Sequence, residues 1–303
     1  MPNAVVPRPL LRGLVSVLRG NYARHYPCRS LFERAVMSDL PTAPVARSHD
    51  FAIRYRAIPA LMLREMSTRY GRTPGGYLWA ILEPLGMIII LSIVYSYMAG
   101  TPPLGTSFLL FKATGFMILQ VFTVLGGQVG NALAFSKPLL RYPRVTWGDA
   151  ILARFVLNSL VLFGVTILIL WGIILYDGLS PVLRWGAVIE ALVLAALLGL
   201  GVASLNCYLF MRFPVWQQLW AIITRPLFLI SGVILLYDDM PDEAQNALWY
   251  NPLLHLTGLI RVGFYPLYRP DYISLLYVGF CITIPMALGL LLLHRYHRDL
   301  LNR

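Results

Sequence analysis

The sequence predicts an all-α polytopic membrane protein with six transmembrane helices, and three observations predict it. Hydrophobic residues make up 58% of the chain and charged residues only 13%, about half the charged share of an average soluble domain. The apolar residues gather into six runs, at about 77–98, 108–134, 151–176, 185–211, 217–236 and 272–293, each near the ~20 residues a helix needs to cross a hydrocarbon core of ~30 Å. The net charge of +11 sits at the chain ends and in short gaps between the runs. That is a topology signal, and it argues against a nucleic-acid partner, which would need a basic face on a soluble domain.

Residues 1–49 form a basic arm. Up to position 36 it carries Arg8, Arg12, Arg19, Arg24, Arg29 and Arg34 against the single acid Glu33, with no apolar run long enough for a signal peptide. Two readings stand open: a cytoplasmic arm drawn to anionic headgroups, or an upstream extension of a protein whose true start is Met37. Residues 50–68 then take a helical period, with Phe51, Tyr55, Ile58, Met62 and Met66 on one face and Arg56, Arg64 and Thr68 turned away. This predicts an amphipathic helix lying on the membrane surface.

Thr73 and Pro74 predict the start of the first crossing as N-cap and first helical residue. From Tyr77 to Met98 the helix would rise about 33 Å, and it carries Glu83 with it. A chargeless turn at 99–107 leads to the second crossing, where Gly126 and Gly130 permit close backbone approach. A basic segment with Lys137, Arg141 and Arg144 precedes the third crossing. The link DGLSPVLR joins the third to the fourth, and RFPVW leads into the fifth. Between about 242 and 268 two short amphipathic stretches, the second behind Asn251 and Pro252, are each too short to span. They predict a re-entrant hairpin, a backbone form tolerated at membrane depth where protein buries it. The sixth crossing ends in HRYHRDLLNR.

Basic residues set the orientation. Twelve arginines before Tyr77, then Lys137, Arg141, Arg144, Arg212, Arg295, Arg298 and Arg303, fall on one side. Arg184, Arg261 and Arg269 fall on the other, beside Asp177, Asp238, Asp239, Asp242, Glu243 and Asp271. Both termini are therefore expected in the cytoplasm.

The search for catalytic groups returns little. A P-loop needs GxxxxGK, but the two lysines follow Phe111 and Ser136, so nucleotide chemistry must reside on a partner. His25, His49, His255, His294 and His297 form no HExxH, and Cys28, Cys207 and Cys281 are widely spaced with no CxxC, so neither a metal site nor a disulfide framework is expected. More telling are the ionisable residues inside the apolar runs, each costing about 2.5–3.5 kcal/mol at mid-membrane. Arg225 is the deepest cation and Glu83 its internal partner by depth, either as a structural ion pair or as part of an aqueous pathway. Arg154, Lys112 and Glu190 lie near span ends, where snorkelling or capping explains them. Most aromatics fit an interfacial belt, while Tyr95, Tyr97, Tyr208 and Trp220 are candidates for lining a conduit, since an aromatic face stacks on a sugar's C–H face.

Three segments then carry a resemblance: RYGRTPGGYLWAILEPL (Arg69–Leu85), LLRYPRVTWGDAILAR (Leu139–Arg154), and RPLFLISGVILLYDDMP with YNPLLHLTGLIRVGFYPLY (Arg225–Pro241 and Tyr250–Tyr268). From about Asp50 onward the chain resembles the permease subunits of type-2 ABC exporters, specifically those of capsular polysaccharide. The resemblance implies a homodimer in the bacterial inner membrane with two copies of a separate ATPase that binds the ATP and Mg. The implied cargo is a lipid-linked anionic polysaccharide, handed to a periplasmic adaptor and an outer-membrane export protein. It implies a coupling helix over Leu139–Gly148, with Leu139, Leu140, Arg141, Tyr142, Pro143 and Arg144 facing the ATPase. The 50–68 helix would be a gate, and Asn251, Pro252 and Arg261 would belong to the re-entrant hairpin. Arg69, Arg72 and Tyr77 at the mouth, with Glu83 and Arg225 deeper, are the candidate substrate contacts. An O-antigen or teichoic-acid exporter permease is the nearer alternative. A membrane-embedded glycosyltransferase or ligase is the alternative from another class.

Overall fold

The computed structural model describes residues 58–66, 75–140, 146–179 and 182–302. Residues 1–49 with Met37, the first part of the amphipathic helix, Arg69, Arg72, Thr73, Pro74 and the stretch Arg141–Val145 lie outside them. Among the described residues the fold is helical throughout, without a strand. In chain order the helices are α1 (58–66), α2 (Gly76–Ala99), α3 (Phe108–Gln128), α4 (Ala132–Ser136), α5 (Trp147–Tyr176), α6 (Trp185–Arg212), α7 (Pro214–Ile230), α8 (Asp242–Leu248), α9 (Pro252–Phe264) and α10 (Leu275–Asn302). Five of them, α2, α3, α5, α6 and α10, are long and apolar enough to cross a membrane.

Local chemistry sets where these helices begin and end. The Ser107 side chain accepts the Leu110 N–H at 3.1 Å and opens α3. Thr146 and Asp149 form a reciprocal capping box at α5: Thr146 Oγ1 accepts the Asp149 N–H, and Asp149 Oδ2 accepts the Thr146 N–H at 2.9 Å. Thr73 and Pro74, expected as N-cap and first helical residue, lie outside the described residues, and α2 begins at Gly76. Gly75, at φ 77°, is its N-cap, and no side chain caps the helix there. A left-handed residue interrupts the helix, and glycine takes that conformation without a Cβ penalty. The fifth predicted run also differs. Its helix, α7, spans 17 residues from Pro214 to Ile230, and the chain leaves helical geometry at Ser231 and Gly232, the latter at φ 74°.

Short connections make successive long helices antiparallel, so the bundle has two ends. One end carries α4, the start of α5 and the end of α10. The other carries the 100–107 and 177–184 connections, α8 and α9. Contacts at each end agree: the Trp147 and His297 rings lie 6.4 Å apart at the α4 end, and the Arg184 N–H donates to the Gly263 carbonyl at 2.9 Å at the α9 end.

α6 is the hub, packing on α10, α3 and α9 above all, and α3 is the most enclosed of the five candidate spans. The α6–α10 contact is backbone to backbone. A Cβ at Gly201 would lie 2.6 Å from the Ile282 carbonyl oxygen, and one at Gly289 would lie 2.4 Å from the Leu205 nitrogen. Small residues allow this approach, and dispersion at short range is what holds helices together where lipid competes for apolar surface. Gly289→Val is therefore expected to lower stability by about 1–3 kcal/mol. Gly279→Val, on the same helix but with open space around an added Cβ, should leave the thermal midpoint of the detergent-purified chain unchanged. Gly126 and Gly130 play the same part for α3: a Cβ at Gly126 would meet Trp220 at 3.1 Å, and one at Gly130 would meet Asn206 at 2.9 Å.

Two cations read as snorkelling are buried instead. Arg154 (7% exposed) pairs with Glu65 of α1, Nε to Oε1 at 2.5 Å. Lys112 (1% exposed) points inward from the second turn of α3. Only Glu190 of the three is exposed.

Candidate functional site

The most elaborate constellation lies where α7 ends. Beyond Ile230 the backbone has no helical continuation, and buried carbonyls there need partners. Four side chains supply them, one after another. Asn251 Nδ2 donates to the Ile230 carbonyl at 2.9 Å, Thr257 Oγ1 to that of Ser231 at 3.0 Å, Arg261 Nη2 to that of Gly232 at 2.6 Å, and Lys112 Nζ to that of Ile234 at 2.7 Å. Three donors come from α9 and one from α3. Asn251 also caps α9 by accepting the Leu253 N–H at 3.1 Å, and Pro252 occupies the first helical position, so the element that presents Thr257 and Arg261 on one face, four residues apart, is itself pinned at its start.

Both cations of this clamp are enclosed, and carboxylates do not neutralise them. The Arg261 guanidinium lies 4.0 Å from the Phe111 ring centroid, and Lys112 Nζ lies 3.6 Å from that of Tyr95. Carbonyl oxygens and aromatic faces take the place of anions, an arrangement worth about 2 kcal/mol or more per cation–π contact once water is excluded. Arg261 Nε and the Tyr265 hydroxyl are buried with no hydrogen-bond partner among the described residues.

An aromatic cluster ties α8 and α9 to the start of α10. His255 Nε2–H donates to the Trp249 carbonyl at 2.8 Å, and its Nδ1 accepts the Ser274 N–H at 3.3 Å. That pattern requires the neutral ring. Burial favours it too, pushing the imidazole below its ordinary pKa. Trp249 Nε1–H donates to the Tyr272 carbonyl at 3.2 Å, and the Tyr277 hydroxyl to that of Tyr250 at 2.6 Å. Beside this cluster a cavity of about 680 Å³ opens at the α9 end, lined among others by Tyr237, Asp238, Tyr265, Tyr268, Arg269 and Asp271.

The residues singled out from the sequence fall as follows. Arg69, Arg72, Arg141, Tyr142, Pro143 and Arg144 lie outside the described residues. Tyr77 lies in the first turn of α2. Leu139 and Leu140 form a half-buried turn after α4, their N–H groups donating to the Ser136 carbonyl. Glu83 and Arg225 do not pair: both are exposed, with no ion pair between them within 4 Å. Depth along the bundle matches for these two but direction does not, since α2 packs on α3 and α5 while α7 packs on α6 and α3. The four aromatics share no single lining. Tyr95 faces Lys112, Tyr97 is 88% exposed, Tyr208 stacks on Tyr296 at 5.9 Å, and Trp220 packs on Phe122 at 6.2 Å. Asn251 and Arg261 are brought together in the clamp. Sequence reasoning missed Lys112, Thr257 and Gly232 as its other members. The available signals were a lysine one turn inside an apolar run, and a Ser-Gly break that stops α7 short.

The ABC-2 type transporter family matches residues 56–265. The polysialic acid transport protein KpsM of Escherichia coli is 30% identical over 255 residues, covering 82% of this chain and 96% of that protein. The capsule polysaccharide export inner-membrane protein CtrC of Neisseria meningitidis serogroup B is 24% identical over 254 residues, 82% of this chain and 93% of CtrC. The corresponding protein BexB of Haemophilus influenzae is 25% identical over 248 residues, 79% of this chain and 89% of BexB. With the matched segment running from α1 through α9 and a helical membrane fold around it, this chain belongs to the ABC-2 type transporter family.

Proposed function

We propose that the chain is the membrane-spanning permease subunit of an ATP-driven exporter that moves lipid-linked, anionic capsular polysaccharide from the cytoplasm to the periplasm. The observation that carries this reading is the near end-to-end similarity to proteins named for polysialic acid transport and capsule polysaccharide export at the inner membrane. The absence of any GxxxxGK from the sequence supports a division of labour in which two copies of a separate ATPase bind ATP and Mg and a homodimer of this chain forms the conduit. α7 buries none of its residues within one protomer, which suits a helix that faces a second copy.

On this reading α7 and the 231–236 segment together make the fifth crossing, and α8–α9 form a re-entrant hairpin on the periplasmic side. Both termini lie in the cytoplasm, as the basic residues require. α1 belongs to the interfacial gate, and Leu139–Gly148 docks on the ATPase. The clamp of Asn251, Thr257, Arg261 and Lys112 supplies what non-helical backbone needs at membrane depth, internal partners for four of its carbonyls. The tyrosine-lined cavity at the α9 end offers aromatic faces to an emerging glycan before a periplasmic adaptor and an outer-membrane protein take it.

Arg69 and Arg72 meet the polyanion first at the cytoplasmic mouth. In cells lacking the chromosomal copy, the wild-type chain is expected to restore surface capsule, and an Arg69→Ala, Arg72→Ala variant to restore it at about a tenfold lower rate, with polysaccharide building up inside. Full export by the double variant would remove these two residues from the mechanism. Surface capsule in cells lacking the chain altogether would remove the function.

A further inference from the structure

α2, α3 and α5 enclose a second cavity, of about 610 Å³, that no step of export uses. Its wall is apolar: Ile81, Leu85 and Ile89 come from α2, and Leu168 and Ile173 from α5. Gly172 lines it beside open space, since a Cβ there would meet no atom within 4 Å. Toward the α9 end it runs on through shared walls at Ser92, Leu109 and Tyr176 into a space of about 410 Å³. There the lining turns polar, with Ser96, Thr106, Ser107 and Asp177.

The lining changes toward the end of the crossing. From Ile81 to Ser92 the apolar α2 wall rises about 16 Å at helical pitch, and the polar space beyond it is bounded by the 100–107 connection and the end of α5, at headgroup level. Among the described residues Asp177 is the only charged one that lines it, with no lysine or arginine. The Ser107 hydroxyl donates to Asp177 Oδ2, so one carboxylate oxygen is held in place while the other has no hydrogen-bond partner among the described residues. A carboxylate with hydroxyls around it complements an ammonium and repels a headgroup that is purely anionic.

We infer that this cleft is a lipid site: it holds one acyl chain of an aminophospholipid, with the headgroup ammonium on Asp177. The inference needs the chain to span a bilayer and is independent of what the protein carries. The occupant is a membrane lipid of the phosphatidylethanolamine type, not the lipid anchor of a glycan.

Native mass spectrometry of the full chain, released in mild detergent from nanodiscs of equal phosphatidylethanolamine and phosphatidylglycerol, tests it. The wild type is expected to retain phosphatidylethanolamine in preference to phosphatidylglycerol. Gly172→Phe, whose ring enters open space and leaves the fold intact, should lose the retained lipid while eluting as the wild type does. Asp177→Asn should keep a lipid but lose the headgroup preference, by about three- to fivefold. Equal retention by wild type and Gly172→Phe would overturn the site. A phosphatidylglycerol preference in the wild type, or a preference that survives Asp177→Asn, would overturn the headgroup assignment. Retention of the glycolipid cargo in place of either phospholipid, from cells that make it, would overturn the choice of occupant.

Discussion

Arg261→Met is expected to release the segment after α7 and to stop export while the chain still inserts. The substitution removes a 2.6 Å bond to the Gly232 carbonyl at a position 1% exposed, leaving a buried acceptor unmet at about 1–3 kcal/mol. It also removes the guanidinium from above Phe111, a contact worth about 2 kcal/mol when desolvated. Two effects work in the opposite direction: methionine carries no charge to desolvate, and Lys112 loses a neighbouring cation. A net loss of about 2–3 kcal/mol is expected, read as a fall of several degrees in thermal midpoint. Lys112→Met should cost a similar amount, since it too gives up one carbonyl bond and one ring contact, to Ile234 and Tyr95, and leaves three of the four tethers in place. The double variant should cost less than the sum of the two, because both act on one five-residue stretch of backbone. A wild-type midpoint for Arg261→Met would mean that the 231–236 segment holds itself without the clamp.

A second large effect is expected at the Glu65–Arg154 pair. The two residues are 89 positions apart in the chain and bury all but 9% and 8% of their side chains. The Phe135 ring lies 4.7 Å from the Arg154 guanidinium and 5.0 Å from that of Arg64, so α1 is fastened to α4 and α5 at a charged and aromatic junction. Removing either partner breaks a buried ion pair, which costs about 3–5 kcal/mol. Glu65→Ala and Arg154→Ala should each show it as lost thermal stability. Glu65→Ala combined with Arg154→Ala should cost less than the sum of the two, because both remove one contact. The exchange Glu65→Arg, Arg154→Glu should recover part of the loss. Additive behaviour of the two alanine variants would mean that they do not act as a pair.

Both sites explain which parts of the protein were legible in its sequence. Hydropathy locates depth, and it placed α2, α5, α6 and the start of α10 to within a few residues because a bilayer-crossing helix has to be apolar along its whole length. It does not report direction around the helix axis, which is why Glu83 and Arg225 matched in depth yet point to different surroundings. For the same reason Arg154 and Lys112 looked like interfacial residues: the partners that bury them lie 89 and 122 positions away. Breaks were harder to read than runs. The predicted crossing at 108–134 stops at Gln128, where Gly126 and Gly130 admit α6 and α7, and the one at 217–236 stops at Ile230 because Gly232 takes a positive φ. The end of α10 was underestimated. Its polar tail stays helical to Asn302, with ring contacts from Tyr208 to Tyr296 and from Trp147 to His297. In the clamp, Asn251 and Pro252 were visible as a helix start, but the row of acceptors they serve is backbone, and side-chain pattern carries no record of it.

Reconstitution decides the central claim most directly. The chain, placed in proteoliposomes with the separate ATPase proposed as its partner, should hydrolyse ATP only when both subunits are present. The rate should rise on adding lipid-linked anionic polysaccharide, and the glycan should move to the side opposite the ATPase. ATP hydrolysis indifferent to the glycan, or covalent change of the glycan by this chain alone, would contradict a permease and point to an enzyme in the membrane.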